Sequence, residues 1–232
     1  MAAISNGKKE TNQNISDKMA DTNIADLRKR YTKGGLVESE LPENPIELFK
    51  KWFEEALASE VVEPNAMALA TISPAGSPNV RMVLLKDIED GAAVFYTNYG
   101  SQKGKDLDVN PFASCTFWWA ELERQVRLSG SVEKVSDTVS ENYFESRPRE
   151  SQIGAWASNQ SRPVAGREEL ESEFERLTKK FEGKKIPKPQ HWGGFKIYLQ
   201  EIEFWQGRPG RLHDRIYYQL SSGKWNRQRL AP

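Results

Sequence analysis

This sequence predicts a mainly β fold with flanking α-helices, an antiparallel barrel built as one domain. Three observations support that prediction. Strand-like runs come in two blocks, over residues 66–135 and again over 195–230. The helical stretches between them are too few for a repeating strand–helix–strand pattern. No internal repeat or linker-like stretch separates the blocks, and 232 residues suit one large domain.

The elements follow in chain order. Residues 1–23 are rich in Ser, Asn, Asp, Lys and Thr and cannot bury enough surface to offset their ordering entropy. They are expected to form a disordered arm, with the folded domain running from 24 to 232. The stretch Ile24–Leu36 allows a helical turn or two before Gly34 and Gly35. Its basic residues Arg28, Lys29, Arg30 and Lys33 read as a solvated face. A helix is expected over Pro45–Ala58, with Asn44 as its cap and Ile46, Phe49, Trp52, Phe53 and Leu57 as its apolar stripe. Three runs, MALATIS, VRMVLLK and AAVFYTN, are separated by turn-forming residues and predict a three-strand meander. A short polar helix over 101–107 and the strands ASCTFWW and RQVRLSGSVEKV follow. Helices near 138–147 and 167–182 come next, the second with Leu170, Phe174, Leu177 and Phe181 on one face. FKIYLQEIEFW, RLHDRIYYQL and KWNRQRL return the chain to strand.

Composition excludes several functions. Lys plus Arg (33) balances Asp plus Glu (33), so the field of positive charge that non-specific nucleic-acid binding needs is missing. One cysteine excludes an internal disulfide framework and a cysteine-rich zinc site. His191 and His213 are too far apart in sequence for a paired metal motif, so no metal is expected. No apolar run approaches the ~20 residues of a membrane helix. The first residues lack the apolar core of a secretory signal, so a cytoplasmic protein is expected. There is no G-x-S-x-G or G-x-G-x-x-G, and GSQKGKD at 100–106 is one residue short of a P-loop.

Four segments suggest chemistry. Between Arg81 and Lys86 lie four apolar residues, which read as a buried strand with a cation at each end. Five residues of strand span ~17 Å at ~3.3 Å each. The two cations therefore either sit in solvent or serve two separate anions. Next, a strand brings Tyr96 and Thr97 to a turn that presents Ser101 and Lys103 beside a helix start. That arrangement suits a phosphate, or is an ordinary strand-to-helix connection. Tyr143 and Arg147, four apart, share a helix face that Pro148 ends, with Arg149 and Ser151 close by. This is a second anion grip, or simple complementarity of arginine to a helix C-terminus. Finally, strand alternation puts Arg211, His213 and Arg215 on one face, and two guanidiniums flanking an imidazole call for something negative or electron-rich opposite them.

The blocks RMVLLK, FYTNYGSQK, ERQVR, SRPRESQIGAW, NQS, HWGGF, IEFWQG, RLHDR and the terminal RLAP, in order between Ile24 and Pro232, resemble the pyridoxamine/pyridoxine 5′-phosphate oxidase family. The resemblance implies an FMN-binding split β-barrel and a homodimer with both FMN sites at the subunit interface. It implies oxidation of pyridoxine 5′-phosphate or pyridoxamine 5′-phosphate to pyridoxal 5′-phosphate in vitamin B6 metabolism. In that reaction hydride passes from C4′ to flavin N5, O2 becomes H2O2, and the amine substrate releases ammonia. The implied FMN contacts are Arg81, Met82, Val83, Leu84, Leu85, Lys86, Tyr96, Thr97, Gln102, Lys103, Gln125, Gln160, Ser161, Trp205 and Arg215. The implied substrate contacts are Lys86, Tyr143, Arg147, Ser151, Arg211 and His213, with Arg28, Lys29, Arg30 and Tyr31 closing over the substrate. Arg211 and His213 would be the catalytic pair that orients the pyridine ring. Many relatives carry a basic residue at the position of Gln102, so the implied FMN phosphate has one fewer charge here. Two rival readings remain, a different split-barrel flavoprotein and a non-catalytic carrier or single-strand-binding barrel. The Tyr143/Arg147/Ser151 grip argues against the first and the neutral charge against a nucleic-acid ligand.

Overall fold

The structure is a computed structural model and describes residues 23–27 and 29–232. The arm expected over 1–23 lies, Asn23 apart, outside the described residues, as does Arg28. The chain divides into two units at Thr32–Lys33. In the first, Asn23 caps a single 3-10 turn, Ile24–Asp26, its side-chain oxygen accepting from the Ala25 N–H. The helical turns expected there amount to that one turn, and residues 29–32 follow without helix or strand.

In the second unit, helix α1 (Pro45–Ala58) begins as its sequence dictates, with the Asn44 side chain accepting from the Ile46 N–H and proline in the first turn. Its buried face is Leu48, Phe49, Trp52 and Ala56. The expected stripe is corrected accordingly: Phe49 and Trp52 stand, Ile46 and Phe53 sit at its margin, and Leu57 is exposed. The face is centred on positions 48, 52 and 56, and the next residue round the helix turns outward. Phe49 packs edge-on to Phe117 at 5.3 Å and Trp52 to Phe204 at 5.2 Å, docking α1 on the sheet.

The sheet comprises β1 (Ala66–Ile72), β2 (Pro78–Leu84), β3 (Asp87–Glu89), β4 (Ala92–Asn98), β5 (Phe112–Trp119), β6 (Arg124–Lys134), β7 (Trp192–Gln206), β8 (Asp214–Ser221) and β9 (Lys224–Leu230). All pairings are antiparallel. The order is β2-β1-β5-β6-β7-β4-β3, with β8 on β7 and β9 on β8. The sheet is not closed, because β2 and β3 are its two ends; the Lys86 N–H donating to the Val94 carbonyl at 2.8 Å links the chain after β2 to β4. The long β7 acts as the spine: its first half pairs with β4, its second half with β8, and β6 runs along both. A bulge at Ser129/Gly130 lets β6 follow that curve, and a Cβ at Gly130 would collide with the Tyr198 carbonyl at 1.8 Å.

The expected three-strand meander is replaced by two hairpins. β1 pairs with β2, but β4 pairs with β3 and β7. Asp90 and Gly91 both have positive φ (50° and 76°), the geometry of a two-residue hairpin turn, so the strand entering that turn is 87–89 and not β2.

Four more helices complete the unit: α2 (Gln102–Val109), α3 (Asp137–Ser146), α4 (Arg149–Ala157) and α5 (Arg167–Lys180). α4 was not foreseen; Pro148 ends α3 and at once occupies the N-cap position of α4. Phe144, Ile153, Leu177, Phe181 and Trp192 form a second, smaller core that fixes these helices against the start of β7. Of the expected α5 face, Leu177 and Phe181 are buried while Leu170 is partly exposed. No helix among the described residues is long and apolar enough to cross a membrane.

Candidate active site

A cleft of about 510 Å³ opens between the end of β2, the end of β4 and the helices α3 and α4. At one end is an anion cradle. Ser101 caps α2 and accepts from the Gly104 N–H. Lys103, its side chain buried, lies 3.2 Å from the Thr97 hydroxyl, 3.4 Å from Ser101 Oγ and 3.1 Å from Gln160 Oε1. Burial, and secondarily the charge of Arg81, pushes its ammonium pKa down. Arg81 reaches across from β2, donating to Thr71 Oγ1 at 2.7 Å and to the Leu69 carbonyl.

Behind Arg81 stands Asp106, wholly buried in α2 and 3.6 Å from a guanidinium nitrogen. It accepts from Thr71 (2.7 Å), Gln102 (2.8 Å) and Asn79 (3.0 Å). Burial works to raise its pKa, but these hydrogen bonds and the charge of Arg81 outweigh that and hold the carboxyl below its ordinary range. Gln102 is thereby turned towards Asp106.

At the other end is a second grip. Lys86, Tyr143, Arg147 and Ser151 all line the cleft, as do Tyr96 and the cradle's Thr97. Tyr143 stacks on Tyr96 at 3.9 Å. Arg147 is the C-cap of α3, in extended backbone, and its guanidinium carbon lies 4.7 Å from the Trp192 ring. Burial lowers its pKa, opposed by Tyr143. Among the described residues, Arg147 Nη1 is the one buried side-chain polar atom with no hydrogen-bond partner. A buried, unpaired guanidinium nitrogen costs free energy unless something negative meets it. Arg149, by contrast, turns away and donates to the Phe181 and Lys184 carbonyls.

Several of the remaining sequence candidates sit apart. Gln125, Trp205 and Arg215 do not line the cleft. They are cross-strand neighbours in one row, continued by Trp118: Trp118 opposite Gln125, Gln125 opposite Trp205, Trp205 opposite Arg215. Arg215 donates to Glu203 Oε1 at 2.7 Å, and the His213 ring lies 4.6 Å from that of Trp205. The strand face proposed for Arg211, His213 and Arg215 is corrected. Pro209–Arg211 is a 3-10 turn, Gly210 and Arg211 have φ of 67° and 63°, and β8 starts only at Asp214, so alternation does not reach back to 211. Arg211 is exposed, and His213 Nδ1 accepts from the Arg208 N–H at 3.1 Å. Ser161 is exposed beside Gln160 with φ 68°; Met82, Val83 and Leu84 line the cleft whereas Leu85 is buried in the core. Lys29, Arg30 and Tyr31 belong to the separate unit before Lys33. Asp106, Thr71, Asn79 and Trp192 were not singled out from the sequence. Among the described residues no cluster of three or more His, Cys, Asp or Glu could hold a metal ion.

A family model described as pyridoxamine 5′-phosphate oxidase matches residues 53–181. A second, described as the pyridoxine 5′-phosphate oxidase C-terminal dimerisation region, matches 192–232. A Synechocystis sp. protein named pyridoxine/pyridoxamine 5′-phosphate oxidase is 54% identical over 92% of this chain and 100% of its own. A Nostoc sp. protein of the same name is 55% identical over 91% of this chain and 100% of its own. The crystal structure of PhzG from Burkholderia lata, in complex with tetrahydrophenazine-1-carboxylic acid, superposes with a TM-score of 0.83 at 28% identity over 88% of this chain and 100% of that one. A pyridoxamine 5′-phosphate oxidase-related, FMN binding protein from Nostoc punctiforme shares the fold, with a TM-score of 0.65 at 14% identity over 79% of this chain and 97% of that one.

Proposed function

Because this chain belongs to the pyridoxamine 5′-phosphate oxidase family, we propose that it is the oxidoreductase that converts pyridoxine 5′-phosphate or pyridoxamine 5′-phosphate to pyridoxal 5′-phosphate. The observation that supports this best is one cleft lined by three cations, Lys103, Lys86 and Arg147, the last with an unpartnered buried nitrogen. Such a cleft suits two phosphorylated molecules lying together. The Arg81/Lys103/Ser101 cradle, at a helix N-terminus, would hold the FMN phosphate. Lys86, Tyr143, Arg147 and Ser151 would hold the phosphate of the substrate. The chemistry supplied by bound flavin is two-electron oxidation at C4′, with dioxygen as final acceptor and hydrogen peroxide as product.

The protein's own residues bind and orient. Thr97 and Gln160 fix the Lys103 ammonium, and Asp106 with Thr71 fixes Arg81. His213 accepts at Nδ1 from the Arg208 N–H, which fixes the orientation of its ring beside Trp205. The row Gln125–Trp205–Arg215 and the turn carrying Arg211 and His213 would act on the cleft of a second copy. The C-terminal dimerisation match supports that homodimer, as does the exposed apolar strip of Val80, Met82 and Leu84 on β2.

Anaerobic mixing with pyridoxine 5′-phosphate tests the reading. The flavin band should bleach and recover when air is admitted, with peroxide formed. A yellow protein whose spectrum is unmoved by that substrate would refute it. Denaturation should release FMN and not FAD.

A further inference from the structure

Residues 191–195, His-Trp-Gly-Gly-Phe, include none of the proposed FMN or substrate contacts. Trp192 opens β7 at the cleft wall, 6% exposed. Its ring is nearly parallel to those of Tyr96 (5.4 Å, 12°) and Tyr143 (6.2 Å, 6°), and Phe144 meets it edge-on at 5.1 Å. Over the same indole lies the Arg147 guanidinium. The second glycine after it is needed for this packing: a Cβ at Gly194 would come within 2.8 Å of the Tyr96 ring and 2.9 Å of Val135.

Resting on the proposed function, the geometry points to Trp192 as the positioning residue of the substrate-phosphate grip. It is a π platform that holds Arg147 and Tyr143 in place without neutralising the arginine. The contrast with Arg81 supports this. Arg81 is held by a carboxylate, Asp106, which cancels part of its charge. No ion pair with a carboxylate is formed by Arg147 among the described residues; its guanidinium is held by ring faces, which attract a cation through their quadrupole yet leave its full charge for a ligand. Arg147 is the C-cap of α3, where the backbone has left the helical conformation. Gly194 leaves room for the Tyr96 ring, which is stacked with both Trp192 (5.4 Å) and Tyr143 (3.9 Å) and so links the platform to Tyr143.

The test compares wild type, Trp192→Phe and Trp192→Leu as FMN-loaded proteins. Three quantities are read: KM and kcat for pyridoxine 5′-phosphate, kcat/KM for unphosphorylated pyridoxine, and the dissociation constant of inorganic phosphate by calorimetry. The leucine variant should raise KM for the phosphorylated substrate and weaken phosphate binding by roughly 3- to 30-fold. Its kcat and its action on pyridoxine should stay within about twofold of wild type. The phenylalanine variant, which keeps a ring face, should fall between. Equal losses on both substrates, or unchanged phosphate affinity in a yellow leucine variant, would overturn the inference. Should the leucine variant not fold, unchanged phosphate affinity in the phenylalanine variant overturns it instead. A wild type that binds phosphate but oxidises neither substrate would refute the functional reading, while the phosphate titrations still decide the role of Trp192.

Discussion

Arg147 and Arg81 are both partly buried guanidiniums, Arg147 lining the cleft and Arg81 bound to Thr71 and Asp106 beside Lys103, and their surroundings differ. On the proposed reading, truncating Arg147 would remove a charge-assisted contact to the substrate phosphate worth roughly 1.5–3 kcal/mol, or about ten- to hundred-fold. Arg147→Ala should therefore raise KM for pyridoxine 5′-phosphate by that factor while the flavin spectrum stays that of wild type. Loss of FMN with unchanged substrate affinity would show the two anion sites exchanged. Asp106 gives a pH-dependent prediction. Its folded-state pKa lies below the ordinary 3.8, so its stabilisation is complete above that value and is lost as pH falls through the lower folded value. Asp106→Asn should melt earlier than wild type near neutrality, by roughly 1–3 kcal/mol, and the gap should close below pH 3.8. A gap independent of pH would mean that the carboxylate charge is not what matters. Tyr143 and Arg147 were legible as a pair from their spacing, because four residues make one helical turn. Asp106 was not, because nothing local shows that an acid 25 residues from Arg81 will be buried beneath it.

At the scale of elements, the strands were legible wherever alternation met a turn residue, and failed where turn chemistry overrode alternation. The Asp90-Gly91 hairpin took β3 from the expected meander, and Pro209-Gly210 moved the start of β8 from Arg211 to Asp214. That shift changes the meaning of Asp214. It accepts from the Leu36 N–H at 3.0 Å and pairs with Arg229 and Arg208, tying residues 33–36 to β8 and β9. Gly35 passes so close that a Cβ there would lie 2.7 Å from the carboxylate. Asp214→Asn should therefore act on stability, lowering it by about 1–3 kcal/mol, with turnover and bound flavin nearly unchanged. Thermal melts beside steady-state assays check this. Abolished turnover at an unchanged melting temperature would place Asp214 in the chemistry instead.

The whole molecule explains why residues that resemble one family's single site occupy two places on this chain. Sequence gives the order of Gln125, Trp205 and Arg215 but not the register that aligns them, which depends on pairing between strands up to 90 residues apart, Gln125 on β6 and Arg215 on β8. Directly opposed residues share a sheet face, so the row faces one way together with Trp118, which is 49% exposed and 5.9 Å from Trp205. Large aromatics at the centre of a protein interface contribute far more than their share of its binding energy. Trp118→Glu buries a charge there if two copies meet on this face, and leaves the fold of one copy untouched because the side chain already points outward. The variant should sediment as a monomer with an unchanged far-ultraviolet spectrum. It should also lose FMN, since the row that would complete each cleft is then withdrawn from it. A yellow, active monomer would show that one copy holds the cofactor by its cradle alone. A colourless dimer would instead put Trp118 in contact with the flavin and not at the joint between subunits.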